Sequence, residues 1–425
     1  MRNEEFGTAL VMRRILLLCC LLWSAVANSS FFIFRSSFVN AQKRLYDTGF
    51  TVTYTPSFGE GQGMEYDEDF ADTIAIEFTA ANEVIVPVQI GGRTFRFLFD
   101  TGASQGVAFT GSGMPYVRNA GYVVAVDFNG HPDTVRVVQL PTLHIGHLSI
   151  DGYIAQVVNG RGVRRPYDGM IGFDIVNKGL LCKIDTQNKR LILTDRKKHF
   201  ADEEGYEVKY KMQGFVPYVW VSPFMRHMDC ALFDTGFPRL YSMNRESFQT
   251  HVYKSRQVAA QVEGRTVGSR FIGVNSVEAS DTVYFLALDR LKWDDFAFRD
   301  YHTTTSDGPS HIGADLLNYG SLIINPRRER MLFQPYNGAD SITVSNQQFQ
   351  MSIVPYQGRA MIGLIREESD AYQDGLRQGD VILKIDGRDV PTFTVFQQWR
   401  FVRGETHIFT VRRRNGSILD IPVRK

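Results

Sequence analysis

The chain has 425 residues, 44% of them apolar and 22% charged, with a formal net charge of +1. That length suits about two to three domains with ordinary packed cores. The near-neutral charge balance gives no electrostatic case for nucleic acid or for an anionic membrane surface as partner.

Residues 1–41 read as a targeting segment. Arg13-Arg14 precede an apolar run from Ile15 to Ala27, and Ala25-Val26-Ala27 fits the small-x-small cleavage pattern. The expectation is export, to the periplasm or cell envelope; left uncleaved, the same segment would tether the chain to a membrane. Cys19 and Cys20 lack the small residues that should precede a lipidated cysteine. Cys182 and Cys230 are then the cysteines of the mature chain, expected as buried free thiols although an exported compartment permits a disulfide.

Residues 42–73 are polar and acidic and read as a linker. Strands are expected at Ile74–Phe78, Val84–Ile90 and Thr94–Phe99, the last two joined by a Gly91-Gly92 hairpin turn. Phe95, Phe97 and Phe99 share one strand face by the period of two; Leu98 points the other way, so both faces are expected to be buried. That strand runs into Asp100-Thr101-Gly102-Ala103-Ser104. More strands are expected at Tyr122–Phe128, Thr134–Leu140, His147–Ile150 and Tyr153–Val158. Asp168-Gly169-Met170-Ile171-Gly172 follows, and Leu181–Asp185 and Arg190–Leu193 close the half. His144 and His147 lie at no zinc-ligand spacing, and no metal is expected.

From about Tyr206 the same order starts again. Val219–Pro223 and Cys230–Phe233 lead into Asp234-Thr235-Gly236-Phe237-Pro238. Strands at Val274–Glu278 and Val283–Leu286, then His311-Ile312-Gly313-Ala314-Asp315 and a closing hairpin, Leu322–Asn325 and Arg330–Phe333, complete it. The pattern is a duplicated unit of roughly 130 residues, with lobes at 74–200 and 201–336. Residues 337–350 read as a linker. Beyond lies a unit at 351–425, with helices expected at Ser369–Gly375 and Phe393–Phe401 and a hairpin about Asn415-Gly416. The fold class is mainly β: two β lobes followed by a small α+β domain.

Two carboxylates about 3 Å apart can share one proton, so that one acts as base toward water while the other acts as acid toward a carbonyl. Each must sit on a tight turn that turns backbone N–H groups toward it, and glycine permits that approach. Asp100-Thr101-Gly102 and Asp234-Thr235-Gly236 meet this need, each at the end of an apolar strand. A competing pattern, Gly102-Ala103-Ser104-Gln105-Gly106, matches a nucleophile elbow, but that elbow requires a strand-to-helix turn.

On these motifs the chain resembles the aspartic peptidases, both the retropepsin half-unit and the two-lobed pepsin-like arrangement. The later Met170-Ile171-Gly172 and His311-Ile312-Gly313, the second with His in the first slot, complete the family's order over about residues 74–336. The resemblance implies that Asp100 and Asp234 form the catalytic dyad, supported by Thr101, Gly102, Thr235 and Gly236, with no metal or organic cofactor and a peptide or protein substrate. A flap is expected from residues 111–130. Ala103 and Phe237 stand where a hydroxyl residue is common in pepsin-like enzymes. Neither side chain can donate to the carboxylates, so the dyad should titrate higher and work at mildly acidic to neutral pH.

The stretch Gly375-Leu376-Arg377-Gln378-Gly379-Asp380-Val381-Ile382-Leu383-Lys384-Ile385-Asp386-Gly387 makes residues 351–425 resemble a PDZ domain of the bacterial exported-protease type. Such domains add a peptide strand to an open sheet edge. The resemblance implies peptide contacts near Gly358 or at Ile362, Gly363 and Leu364. Three functional readings stay open: an aspartic endopeptidase with its dyad in one chain, a homodimeric enzyme using Asp100 from two chains, and a non-catalytic envelope binding protein. The oligomeric state stays open, with a monomer favoured.

Overall fold

The computed structural model describes residues 68–79, 82–127, 132–159, 165–252, 255–273, 276–402 and 404–424. The targeting segment and the linker up to residue 67 therefore lie outside the described residues. Among the described residues, 121–124, inside the strand Arg118–Val126, belong to one unit and the others to a second, which carries the rest of the fold.

The architecture is mainly β. In the first lobe the strand Arg93–Phe99 runs antiparallel to Val84–Ile90 and parallel to Gly169–Ile171, which runs antiparallel to Gly106–Phe109. The second lobe has the same topology. His227–Asp234 lies antiparallel to Val216–Phe224 and parallel to Ser310–Gly313, which pairs antiparallel with Tyr241–Asn244. The register agrees too: Ile171 is opposite Phe99, and Ile312 is opposite Phe233. Phe95, Phe97, Phe99 and, on the other face, Leu98 are all buried. Burial on that scale is worth about 1.5–3 kcal/mol per side chain and anchors the strand that delivers Asp100.

The two lobes share a sheet. Leu181–Asp185 of the first pairs antiparallel with Gly320–Asn325 of the second, with Cys182 opposite Ile324 and Ile184 opposite Leu322. Each closing hairpin then gains an outer strand, Ala71–Ala75 on one side and Tyr206–Gln213 on the other. Residues 71–73, read from sequence as linker, are thus part of a strand whose partners lie more than a hundred residues away. The 337–350 segment likewise holds a short strand, Ser341–Thr343, paired with Phe296–Ser306.

Other elements differ from expectation. The strand expected at Val283–Leu286 extends over Asp281–Trp293 and turns back as Phe296–Ser306 through Asp294, at φ 53°. Around Val277 there is a single bridge to Ile272, and residues 274–275 lie outside the described residues. An eight-residue helix, Arg245–Val252, occupies a stretch for which the sequence suggested no element.

Residues 351–424 form a separate sheet in the order Met351–Tyr356, Arg359–Ile365, Val381–Ile385, Thr406–Arg412, Ile418–Arg424. Two one-turn helices accompany it, Asp370–Gln373 and Phe393–Phe396, whose caps Ser369 and Thr392 accept the N–H groups of Tyr372 and Val395. The second ends well before Phe401, because Phe-Thr-Val-Phe is β-branched and aromatic and sustains a helix poorly. Against the second lobe this sheet makes a close backbone approach: Ser269 N–H donates to the Gly363 carbonyl at 3.0 Å. Phe349 stacks on Phe285 beside it, with ring centroids 5.7 Å apart.

Candidate active site

Asp100 and Asp234 come to the same place, each at the end of the central strand of its lobe. The two carboxyl groups are hydrogen-bonded to one another. Asp100 Oδ1 accepts the N–H groups of Gly102 (2.9 Å) and Ala103 (3.1 Å), and Asp234 Oδ1 accepts that of Gly236 at 2.8 Å. Both glycines are required by space. A Cβ on Gly102 would stand within 3.0 Å of the Asp234 carboxyl, and one on Gly236 within 3.0 Å of the Asp100 carboxyl.

Thr101 and Thr235 are wholly buried and lock the turns together. Thr101 N–H donates to Thr235 Oγ1, and Thr235 N–H to Thr101 Oγ1, both at 3.0 Å. Each hydroxyl then donates across the pseudo-twofold to a carbonyl of the other lobe, Thr101 to Phe233 at 2.8 Å and Thr235 to Phe99.

The unusual Phe237 leaves this geometry intact. Ala314 N–H donates to the Phe237 carbonyl at 2.7 Å, as Phe173 N–H donates to the Ala103 carbonyl at 2.8 Å in the first lobe. Glycines 172 and 313 clear the way, since a Cβ at either would overlap those same carbonyls. The Phe237 side chain turns into the core, its ring centroid 5.2 Å from His311 and 5.5 Å from Phe271.

Burial raises both carboxyls above the ordinary carboxylate range, and for Asp234 the Asp100 charge lifts it well above. The raised direction matches the expectation drawn from Ala103 and Phe237, but the largest cause is loss of solvent rather than the missing hydroxyls. The pair titrates as a unit, retaining a proton where an isolated aspartate would have lost it.

Glu83 and Tyr167, which face Asp100, and Arg165, which faces both of them, were not legible as site residues. Glu83 is raised by burial and by the Asp100 charge, and is opposed by the Thr79 hydroxyl, which donates at 2.7 Å, and by Arg165. The Arg165 guanidinium lies 5.1 Å from the Phe109 ring centre and hydrogen-bonds Tyr167. Its Nη2 also reaches the Gly273 carbonyl of the second lobe, at 3.3 Å. Close by, Ser276 Oγ donates to Asp127 Oδ2 at 2.6 Å, so these two bonds add to those that join the lobes at the threonines and the shared sheet. In the second lobe His311 is fully buried, with Nε2 3.8 Å from Asp234 Oδ2. Its one sequence signal is a histidine in the apolar slot before Ile312-Gly313.

The remaining candidates fall elsewhere. Ser104 is followed by the strand Gly106–Phe109 rather than a helix, so no nucleophile elbow is built. Gly358 sits at positive φ in an exposed hairpin turn of the C-terminal sheet. Ile362, Gly363 and Leu364 do not line an open edge: they lie in Arg359–Ile365, a strand between two others, with Ile362 and Leu364 fully buried. The edge strands are Met351–Tyr356 and Ile418–Arg424. Cys182 and Cys230 are free thiols. His144 bonds Ser149 and His147 bonds Asp72, and among the described residues no cluster of three metal-ligating side chains occurs.

An aspartyl protease family model matches residues 86–175, the stretch that carries Asp100 and Gly172. The match supports a peptidase-like function in general. The crystal structure of Basic 7S globulin from soybean is similar at a TM-score of 0.39 and 9% identity, covering 63% of this chain and 95% of that one. No curated protein matches the chain.

Proposed function

We propose that the protein is an aspartic endopeptidase whose dyad, Asp100 and Asp234, lies within one chain. The observation that carries this reading is the pair of hydrogen-bonded carboxyls on two matched turns, each raised above the ordinary carboxylate range. A water held between them loses a proton to the ionised carboxylate as its oxygen attacks the scissile carbonyl carbon. The protonated partner gives its proton to the carbonyl oxygen, leaving a gem-diol. In collapse, one hydroxyl proton returns to the dyad, the carboxyl proton moves to the amide nitrogen, and the C–N bond breaks. Acid and carboxylate are thereby regenerated, and no metal or organic cofactor is needed.

The C-terminal sheet fits a PDZ domain. In that reading the edge strand Met351–Tyr356 receives an extended peptide by strand addition, with the turn at Gly358 beside it, and raises the local concentration of substrate at the cleft. The amino-terminal segment supports export to the periplasm or cell envelope. Among the described residues no helix is long and apolar enough to cross a membrane.

Purified protein offered a mixed peptide library across pH 3–8 tests this function. Cleavage is expected, and Asp100→Asn and Asp234→Asn should each lower it by about 10³-fold or more. Activity retained in Asp234→Asn alone would instead indicate a dimer built on Asp100, and no cleavage by the wild type at any pH would leave a binding protein.

A further inference from the structure

The two lobes hold their aspartates in the same way but wall them differently. Ile85 lies opposite Leu98, and Tyr218 opposite Leu232. Two residues nearer the turns, Glu83 therefore comes level with Asp100, and Val216 with Asp234. Facing residues of an antiparallel pair share a sheet face, about 5 Å apart, and the Asp100 charge accordingly acts on Glu83. Counting back from the Ile-Gly pairs gives a second contrast. Tyr167 stands four residues before Ile171, and Gly308 four before Ile312. Asp100 acts on Tyr167 as well. One side of the dyad thus carries a carboxyl and a phenol where the other has an isopropyl group and no side chain.

Glu83 is only partly buried, and its two oxygens differ. Oε2 accepts the Thr79 hydroxyl at 2.7 Å, which fixes the carboxyl; Oε1 takes no hydrogen bond among the described residues. The Arg165 guanidinium, held by Tyr167 and by the Gly273 carbonyl, faces Glu83.

We propose that Glu83 sets a substrate preference: its Oε1 accepts a hydrogen bond from the side chain on the first-lobe flank of the scissile bond. The residue selected there is an uncharged donor, a carboxamide or a hydroxyl, and the Val216 flank takes an apolar residue. This deepens the peptidase reading above and rests on it. An apolar side chain beside Glu83 would cover Oε1 without pairing it, and a site built to hydrogen-bond its substrate rejects the analogue that lacks the group. An ammonium gains from Glu83 what it loses to Arg165, and gives up its hydration as well. A carboxylate has no hydrogen to give. Burial raises Glu83, but a protonated carboxyl keeps acceptor capacity, so the selection does not depend on its charge.

The test is the mixed peptide library with the full chain, read by mass spectrometry as the residues on both flanks of each cleaved bond. On one flank the wild type should favour Gln, Asn, Ser and Thr over Leu and Phe by about tenfold or more; on the other the order should reverse. Glu83→Leu should lose the polar preference by that factor and leave the apolar flank as it was. Glu83→Gln keeps an acceptor oxygen and should retain the preference. Val216→Gln, which leaves Glu83 in place, should bring donor residues onto the second flank. Equal preferences on both flanks of the wild type would overturn the proposal, as would a Glu83→Leu variant that is slower with unaltered selectivity. If the wild type cleaves nothing, the peptides it retains on a column are sequenced instead. Donor selection that Glu83→Leu abolishes would then remove the peptidase reading and leave the subsite; no selection would remove both.

Discussion

Thr101 and Thr235 each donate a backbone N–H to the other's hydroxyl at 3.0 Å, a reciprocal pair at the junction of the two lobes. Because each hydroxyl also donates to a carbonyl of the opposite lobe, removing one leaves two buried backbone groups without partners. Leaving a buried group unsatisfied costs about 1–3 kcal/mol. Thr101→Val and Thr235→Val should therefore each destabilise the protein by roughly 2–4 kcal/mol, measured by urea unfolding. Thr→Ser keeps the hydroxyl and should recover most of that loss. Equal stability of Val and Ser variants would mean the hydroxyls contribute little.

The dyad also shapes stability against pH. A carboxyl raised in the folded state binds more protons there than in the unfolded chain, so stability falls as pH rises from about the ordinary 3.8 toward the folded value. Asp234→Asn removes that penalty. Relative to wild type it should gain stability steadily above about pH 4 and gain nothing below. His311 works with the opposite sign: lowered from 6.5 to about 3, it makes stability rise with pH across that interval. Urea unfolding from pH 3 to 8 on wild type, Asp234→Asn and His311→Met separates the two. A constant difference between wild type and Asp234→Asn would contradict the raised carboxyl.

What could be read from sequence follows from where the information lies. Asp100, Thr101 and Gly102 sit in contiguous motifs, and the turn needs those residue types, so the motif announces its geometry. Phe237 stands where a hydroxyl residue is common, and its type alone does not separate its backbone role from its side chain; the carbonyl keeps the turn and the ring goes to the core. Glu83 and Tyr167 approach Asp100, and Arg165 approaches them, only through tertiary folding, from segments without a pattern of their own. The inter-lobe sheet was hidden for a related reason, since Cys182 opposite Ile324 is a pairing no local period encodes. The run Met361–Leu364 is apolar, and an apolar run alone does not distinguish an open ligand-binding edge from a strand inside the sheet.

The contact between the C-terminal sheet and the second lobe depends on two glycines. A Cβ on Gly363 would stand 2.6 Å from the Ser269 carbonyl oxygen, and one on Gly268 would stand 2.5 Å from the Gly363 carbonyl oxygen. Both obstacles are backbone, so rotamer changes cannot relieve them. Gly363→Ala should therefore push the sheet off the lobe, breaking the Ser269–Gly363 hydrogen bond and the Ser352–Ser269 bond beside it. The Ala360, Ile382 and Val411 core of the C-terminal unit is its own and should remain folded. The expected result is faster proteolytic nicking within residues 337–350, with Phe349 released from Phe285, and a stability loss of about 1–3 kcal/mol. The dyad lies in the lobes, so cleavage of short peptides should change little. Nicking at the wild-type rate would mean the contact holds with a side chain in place, and the glycines are not what permits it.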